Sequence, residues 1–301
     1  MDLNIVVFLS FLFLHLFVIA KVKPGDLNLV KAEFLDIGQG SSVLLTTKEN
    51  CKVLIDTGKE MEFLKAYSKI YPVAYTDIDL LILTHSDYDH IGDFENVFKY
   101  FSPKFLILNG SFKNTQKSKI LKLFSKKSSI FTIYAKKNDR FDICGLKGYV
   151  LNPDYRRKKY SNENEKSITI LFELNYFTNL LITGDLEEES KYLNLTNLKK
   201  RSQNKINLYL ASHHGSNTSS DMKFLKVFNP PISFVQAGVD NSYGHPHPEI
   251  IDRICDYSSF LFNTQVNGSI RVTLPSYKNE RTQERPKLTI ETQRGQPKVC
   301  E

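Results

Sequence analysis

Short apolar runs recur along the chain, each closed by a polar or glycine-bearing turn, and they read as strands. They lie at Leu29–Leu35, Ser42–Thr46, Lys52–Ile55, Leu80–Thr84, Phe105–Leu108, Ser129–Tyr134 and Gly148–Leu151. A second series follows at Ile168–Leu174, Asn179–Thr183, Ile206–Ala211, Ile232–Ala237, Phe260–Asn263, Ser269–Leu274 and Lys287–Thr292. Helical spacing appears at Met61–Ile70, Phe94–Tyr100, Lys117–Lys126, Glu187–Leu195, Asp221–Phe228 and Pro248–Tyr257. Periodicity alone establishes a mixed α and β chain.

The histidines change that picture. Six of the seven fall into three short clusters, two of them directly past an apolar run and the third shortly after one. Leu80–Thr84 leads into His85-Ser86-Asp87-Tyr88-Asp89-His90, Ile206–Ala211 leads into Ser212-His213-His214-Gly215-Ser216, and His245-Pro246-His247 comes after Ile232–Ala237. Imidazoles and carboxylates just past strand ends are how a sheet gathers metal ligands at one rim. In the first cluster, alternation along an extended backbone turns three groups one way, and the fourth turns back as a helix begins. Two close sub-sites follow, His85 with Asp87 and Asp89 with His90. The competing reading is a polar loop whose carboxylates cap the next helix.

His85-x-Asp87-x-Asp89-His90 resembles the HxHxDH signature of the metallo-β-lactamase fold superfamily, with Asp87 in place of the second His. The remaining blocks resemble one branch, the C-terminal domain of the DNA-uptake competence protein ComEC. They are Phe34-Leu35-Asp36-Ile37-Gly38-Gln39-Gly40, Leu54-Ile55-Asp56-Thr57-Gly58, Asn164-Glu165-Lys166-Ser167, Leu181-Ile182-Thr183-Gly184-Asp185, the His213 block and Tyr243-Gly244-His245-Pro246-His247-Pro248. No multi-span region matches the membrane channel of such proteins. The resemblance implies an α+β fold, the four-layer αββα metallo-β-lactamase sandwich, holding two divalent metal ions, Mn²⁺ or Zn²⁺.

Roles follow from the same resemblance. His85, Asp87, Asp89, His90, Asp185 and His213 are the implied metal ligands, with Asp185 bridging and Asp89 also catalytic. Asp185 as the cap of the following helix is the alternative. Asp56 orients ligand histidines, and Asp36 lines the site or only shapes the glycine turn. Asn164 and Ser167 stand where the superfamily has a third-motif His; His214 and Ser216 are expected in support or against substrate. His247 or His245 protonates a leaving oxygen or holds a phosphate, against a structural loop role. No His occurs between His90 and His213, so the ligand set is oxygen-rich and leans toward Mn²⁺. Ser41 stands where the branch has Asp.

Composition adds a compartment and a substrate. With 301 residues, 41% hydrophobic and 24% charged, and no low-complexity linker, residues 21–301 read as one domain. The net charge is +7, and residues 101–150 hold eleven Lys or Arg against Asp139 and Asp142. Arg156-Arg157-Lys158-Lys159 and Lys199-Lys200-Arg201 extend the bias toward polyanions, unless they are simply a solvated face. Leu3–Ala20, containing His15, reads as a signal peptide or a membrane tether, placing the rest in the periplasm or outside the cell. Cys51, Cys144, Cys255 and Cys300 have no CxxC spacing and allow three pairings. The expectation is an exported metal-dependent phosphodiesterase acting on nucleic acid, most plausibly single-stranded DNA. A hydrolase of small phosphoesters such as phosphocholine esters, and a non-catalytic DNA-binding receptor on the same fold, are the alternatives. No protein partner is inferable.

Overall fold

The computed structural model describes residues 29–71, 77–111, 113–127, 130–157, 160–275 and 287–300. Residues 1–20, expected as a signal or tether and containing His15, and Lys158 and Lys159, lie outside the described residues.

The apolar runs form two eight-stranded sheets. The first contains β1 (Leu29–Phe34), β2 (Val43–Thr46), β3 (Lys52–Ile55), β4 (Leu80–Leu83), β5 (Phe105–Leu108) and β6 (Phe131–Tyr134). The second contains β7 (Arg140–Ile143), β8 (Leu146–Asn152), β9 (Thr169–Asn175), β10 (Thr178–Ile182), β11 (Ile206–Leu210), β12 (Ile232–Val235) and β13 (Phe260–Asn263). β14 (Ile270–Pro275) and β15 (Thr289–Thr292) close the β1 edge of the first sheet; β16 (Lys298–Val299) closes the β13 edge of the second. β3 to β6 run parallel, as do β10 to β13.

The central strands of the parallel halves, such as β4, are buried on both faces, which is why their sequences are continuous apolar runs, whereas edge strand β6 is mostly exposed. Val53, Ile55, Leu80 and Ile82 enter the core between the sheets, while Leu54, Leu81 and Leu83 face outward under helices. Phe34 of one sheet stacks on Phe234 of the other with centroids 4.0 Å apart. The first sheet is covered by α1 (Glu62–Ile70), α2 (Tyr88–Ile91), α3 (Phe94–Phe101) and α4 (Gln116–Lys127). The second is covered by α5 (Glu189–Tyr192), α6 (Leu195–Ser202), α7 (Met222–Phe228) and α8 (Pro248–Cys255). A short α9 (Thr264–Asn267) follows β13. These layers are the αββα sandwich.

Besides the short α9 and β16, which the sequence pattern did not predict, two regions depart from it. The single helix expected over Glu187–Leu195 is α5 and α6, because Asn194 caps a new helix by accepting the Asn197 N–H. β7 was not expected: its residues are partly exposed and it pairs with β8 across the Cys144-Gly145 turn. The cysteines pair as Cys51–Cys144 and Cys255–Cys300.

Candidate metal centre

The motifs meet at one rim, past the C-terminal ends of β3, β4, β10 and β11. Asp56, fully buried after β3, organises the rest. Its carboxylate accepts the Thr84 N–H and the Thr84 hydroxyl, each at 2.8 Å, and the His90 Nδ1–H at 2.7 Å. The Thr84 hydroxyl proton is thereby committed, so Thr84 Oγ1 accepts from His85 Nδ1 at 3.1 Å. His214 Nδ1 donates to the Gln236 carbonyl at 3.0 Å. In all three rings the outer contact keeps the proton on Nδ1 and aims a basic Nε2 inward, the arrangement metal-ligating histidines require.

The inward atoms converge. His90 Nε2 lies 3.0 Å from Asp185 Oδ1 and 3.3 Å from His214 Nε2. His214 Nε2 is 3.4 Å from Asp89 Oδ2, and His85 Nε2 is 3.6 Å from Asp185 Oδ2. His85, His90 and Asp185 form one compact ligand group, and Asp89, His90 and His214 a second. His85 Nε2 is fully buried and has no hydrogen-bond partner, a cost that a bound ion would remove. The nitrogen and carboxylate set fits divalent metals.

The electrostatics agree. Burial pulls His90 down, but Asp185 and Asp56 outweigh it and hold its pKa well above the ordinary value. Burial pushes Asp185 up, yet His90, His214, His213 and His85 hold it well below the usual carboxylate range. Asp89 is likewise lowered against its own burial, by His214 and His90 beside it. His85 is lowered by burial and by the adjacent His90. The cluster attracts positive charge, so a proton and a metal ion compete for it.

Several residues stand differently from expectation. His213 and His214 both adopt left-handed backbone conformations, φ 50° and 56°, so strand alternation does not apply. His214, expected in support, joins the compact group, while His213 Nε2 reaches Asp185 Oδ2 at 3.7 Å and its Nδ1 faces Glu187 Oε1 at 3.5 Å. Asp87 occupies the N-cap position of α2 without making a capping bond; Lys113 Nζ lies 2.5 Å from it. Asp185 caps no helix, since α5 starts after Glu188. Asp36 turns away to Arg294 at 2.9 Å. Ser167 Oγ accepts the Asp185 N–H at 3.2 Å, and Asn164 bonds Glu187, the residue facing His213. Ser216 Oγ pairs with Thr218, bracing the loop.

His245 and His247 flank the mouth. The His245 ring lies 5.6 Å from that of His213 and 5.0 Å from that of His247. Burial and the neighbouring His213, His214 and His247 push its pKa down to about 4. His247 Nδ1 accepts the Asn217 N–H at 3.1 Å. Sequence reasoning missed Gln236 and Glu187. Gln236 Nε2 donates to Leu35 and Ser42 carbonyls at 2.9 and 2.8 Å, tying one sheet to the other beside the cluster. A glutamine ending an apolar run gives no signal of such a role, whereas Glu187, two residues past Asp185, could have been suspected.

A sandwich of this form with this rim defines a metallo-β-lactamase-fold protein. Residues 35–107 match the family model described as the metallo-beta-lactamase superfamily. The chain is similar to ComEC-type competence proteins. It is 27% identical over 269 residues, 83% of this chain, to "ComE operon protein 3" of Bacillus subtilis. It is 30% identical over 244 residues, 79% of this chain, to "Competence protein ComA" of Neisseria gonorrhoeae. The chain spans 33% and 31% of the length of these relatives. Among solved structures, CmlA, a diiron beta-hydroxylase from Streptomyces venezuelae, aligns with TM-score 0.55 at 12% identity, over 82% of this chain and 54% of that one. The fold protein YhfI from Bacillus subtilis aligns with TM-score 0.50 at 13% identity, over 78% of this chain and 95% of that one. Both share the fold alone. Among the described residues no helix is long and apolar enough to cross a membrane.

Proposed function

We propose that the chain is an exported, metal-dependent phosphodiesterase that cleaves single-stranded DNA, with residues 1–20 serving as signal or tether and residues 21–301 as one catalytic domain. The observation that carries this reading is the convergence of three oriented Nε2 atoms with Asp89 and Asp185 at an open rim. Two disulfides favour an oxidising compartment. The competence names of the relatives favour DNA over small phosphoesters.

A divalent ion bound here supplies Lewis acidity and lowers the pKa of a coordinated water from about 15.7 toward 7. Asp89, His90 and His214 would hold it with Asp185 beside them, while His85 and His213 both face Asp185. With Asp89 Oδ2 turned to His214, the other oxygen of the carboxylate would accept a proton from the attacking water. His247 accepts at Nδ1, so its Nε2 carries the proton and can donate a hydrogen bond to the leaving oxygen. His245, neutral at physiological pH, offers a hydrogen bond to a phosphoryl oxygen.

The test is hydrolysis of a chromogenic phosphodiester and of labelled single-stranded DNA by metal-stripped protein refilled with Mn²⁺ or Zn²⁺. Both substrates should be cut, faster with Mn²⁺ because Asp87 stands in place of a histidine and no His occurs between His90 and His213. Turnover of the chromogen without DNA cleavage would favour the small-phosphoester reading. DNA binding without any turnover would mean a receptor.

A further inference from the structure

The two halves of the rim are unequal, and Lys113 is the reason. The Asp89–His90–His214 half is open on its inner side, with three ligand atoms close together and Asp185 beside them. The other half offers His85 and Asp87, and no third-motif histidine exists to complete it. Asp87 is also occupied. Lys113 Nζ donates to Asp87 Oδ2 at 2.5 Å and lies as an ion pair beside Oδ1, which accepts no hydrogen bond. The backbone N–H of Lys113 donates to Ser86 Oγ at 2.8 Å, so the loop after β5 is pinned beside the motif.

His90 Nε2 belongs to both compact groups but can bind only one ion. Once it serves the Asp89 half, the remainder is His85, a shared Asp185 and a carboxylate already paired with an ammonium. A divalent ion needs Asp87 oxygen within about 2.0–2.6 Å. It would have to displace Lys113 from the same oxygens or sit against its positive charge.

Resting on the metal-hydrolase reading above, we propose that Lys113 is the resident cation of the His85–Asp87 half. The centre then holds one divalent ion tightly, and the ammonium supplies the second positive charge. Lys113 thereby sets the metal stoichiometry and stays at the rim as a fixed charge for a phosphoryl oxygen.

The test needs no substrate. Metal-stripped wild type, Lys113→Met, Lys113→Ala and Lys113→Arg are refilled with Mn²⁺ and freed of loose metal. Bound ions per chain are then counted by mass spectrometry, and Mn²⁺ spin coupling is read by electron paramagnetic resonance. Wild type and Lys113→Arg should hold one ion with an uncoupled spectrum. Lys113→Met and Lys113→Ala should hold two coupled ions, the second bound at least tenfold more tightly than by wild type. Two tight, coupled ions in wild type would overturn the proposal and leave the hydrolase reading standing. So would one ion in a folded Lys113→Met or Lys113→Ala protein. No bound metal in any of the four would overturn both.

Discussion

Asp56 carries more of the centre's chemistry than any ligand does, although it contacts no substrate. Its carboxylate is an acceptor only, which forces His90 to donate from Nδ1 and forces the Thr84 hydroxyl to leave its oxygen for His85. An amide in the same place reverses the logic, because one of its two heads is a donor. In Asp56→Asn, the amide facing His90 would donate to Nδ1 and move the ring proton to Nε2, where it blocks metal. Asn tolerates the left-handed backbone at this position, φ 57°, so the fold should survive. We expect metal affinity to fall by about 10- to 100-fold, as is typical for lost outer partners. Titration calorimetry with Mn²⁺ on a protein of unchanged circular dichroism reads this directly. Asp185→Ala should behave differently: its carboxylate faces His85, His90, His213 and His214 together, so hydrolysis should be abolished in a folded protein. Near-wild-type turnover in that variant would remove Asp185 from the centre.

Ligands from distant parts of the chain meet because parallel strands end in register at one rim. β4 continues into Thr84 and His85, β10 into Gly184 and Asp185, and β11 into the His213 turn. Ile168 N–H donates to the Thr84 carbonyl at 2.9 Å, locking the two sheets together there. Gly40 fits under this loop only without a side chain, since a Cβ would lie 2.3 Å from the Asp89 carbonyl. At the opposite end, where β3 begins, Cys51 is bonded to Cys144 in the β7–β8 turn of the other sheet. This clamp closes a loop with sequence separation 93 and should contribute about 2–4 kcal/mol. Cys51→Ser with Cys144→Ser should lose that much in denaturant unfolding while Mn²⁺ affinity stays unchanged, the rim being at the other end of β3. A parallel loss of metal affinity would show that the sheets shift as one. The strands and the three histidine clusters were legible because apolar runs and ligand spacing are local properties of sequence. What was not legible depends on backbone turned by its surroundings or on contacts made across the fold. The left-handed His213-His214 pair, the Asp36 ion pair with Arg294 and the Asp87 pair with Lys113 are of that kind.

Across the molecule, the basic excess is concentrated where it was only partly expected. Lys117 is tied to Glu95, and Arg156 makes two 3.0 Å bonds to Asp154, so these charges are largely spent internally. Arg157, Lys200 and Arg201 are different. Arg157 lies over the Tyr192 ring at 4.3 Å, with Tyr160 stacked on the same ring, and Arg201 lies over Tyr149 at 3.9 Å with Arg140 on that ring too. Two adjoining hollows share Lys137, giving a strip of guanidinium, ammonium and tyrosine. Asn152, which lines the second hollow, donates to the Ser167 carbonyl, and Ser167 holds Asp185, so the hollow is linked to the rim through the core. Aromatic faces with cations are how proteins track single strands without reading sequence. Each phosphate contacted should contribute about −0.7 to the log–log slope of affinity against salt. Reversing Arg157, Lys200 and Arg201 to Glu should therefore flatten that slope by about 2 and raise KM for single-stranded DNA. Turnover of a small chromogenic phosphodiester should stay the same, because that substrate reaches the rim without crossing the strip. An unchanged slope, or equal losses on both substrates, would mean that the strip is a solvated face and that DNA enters by another path.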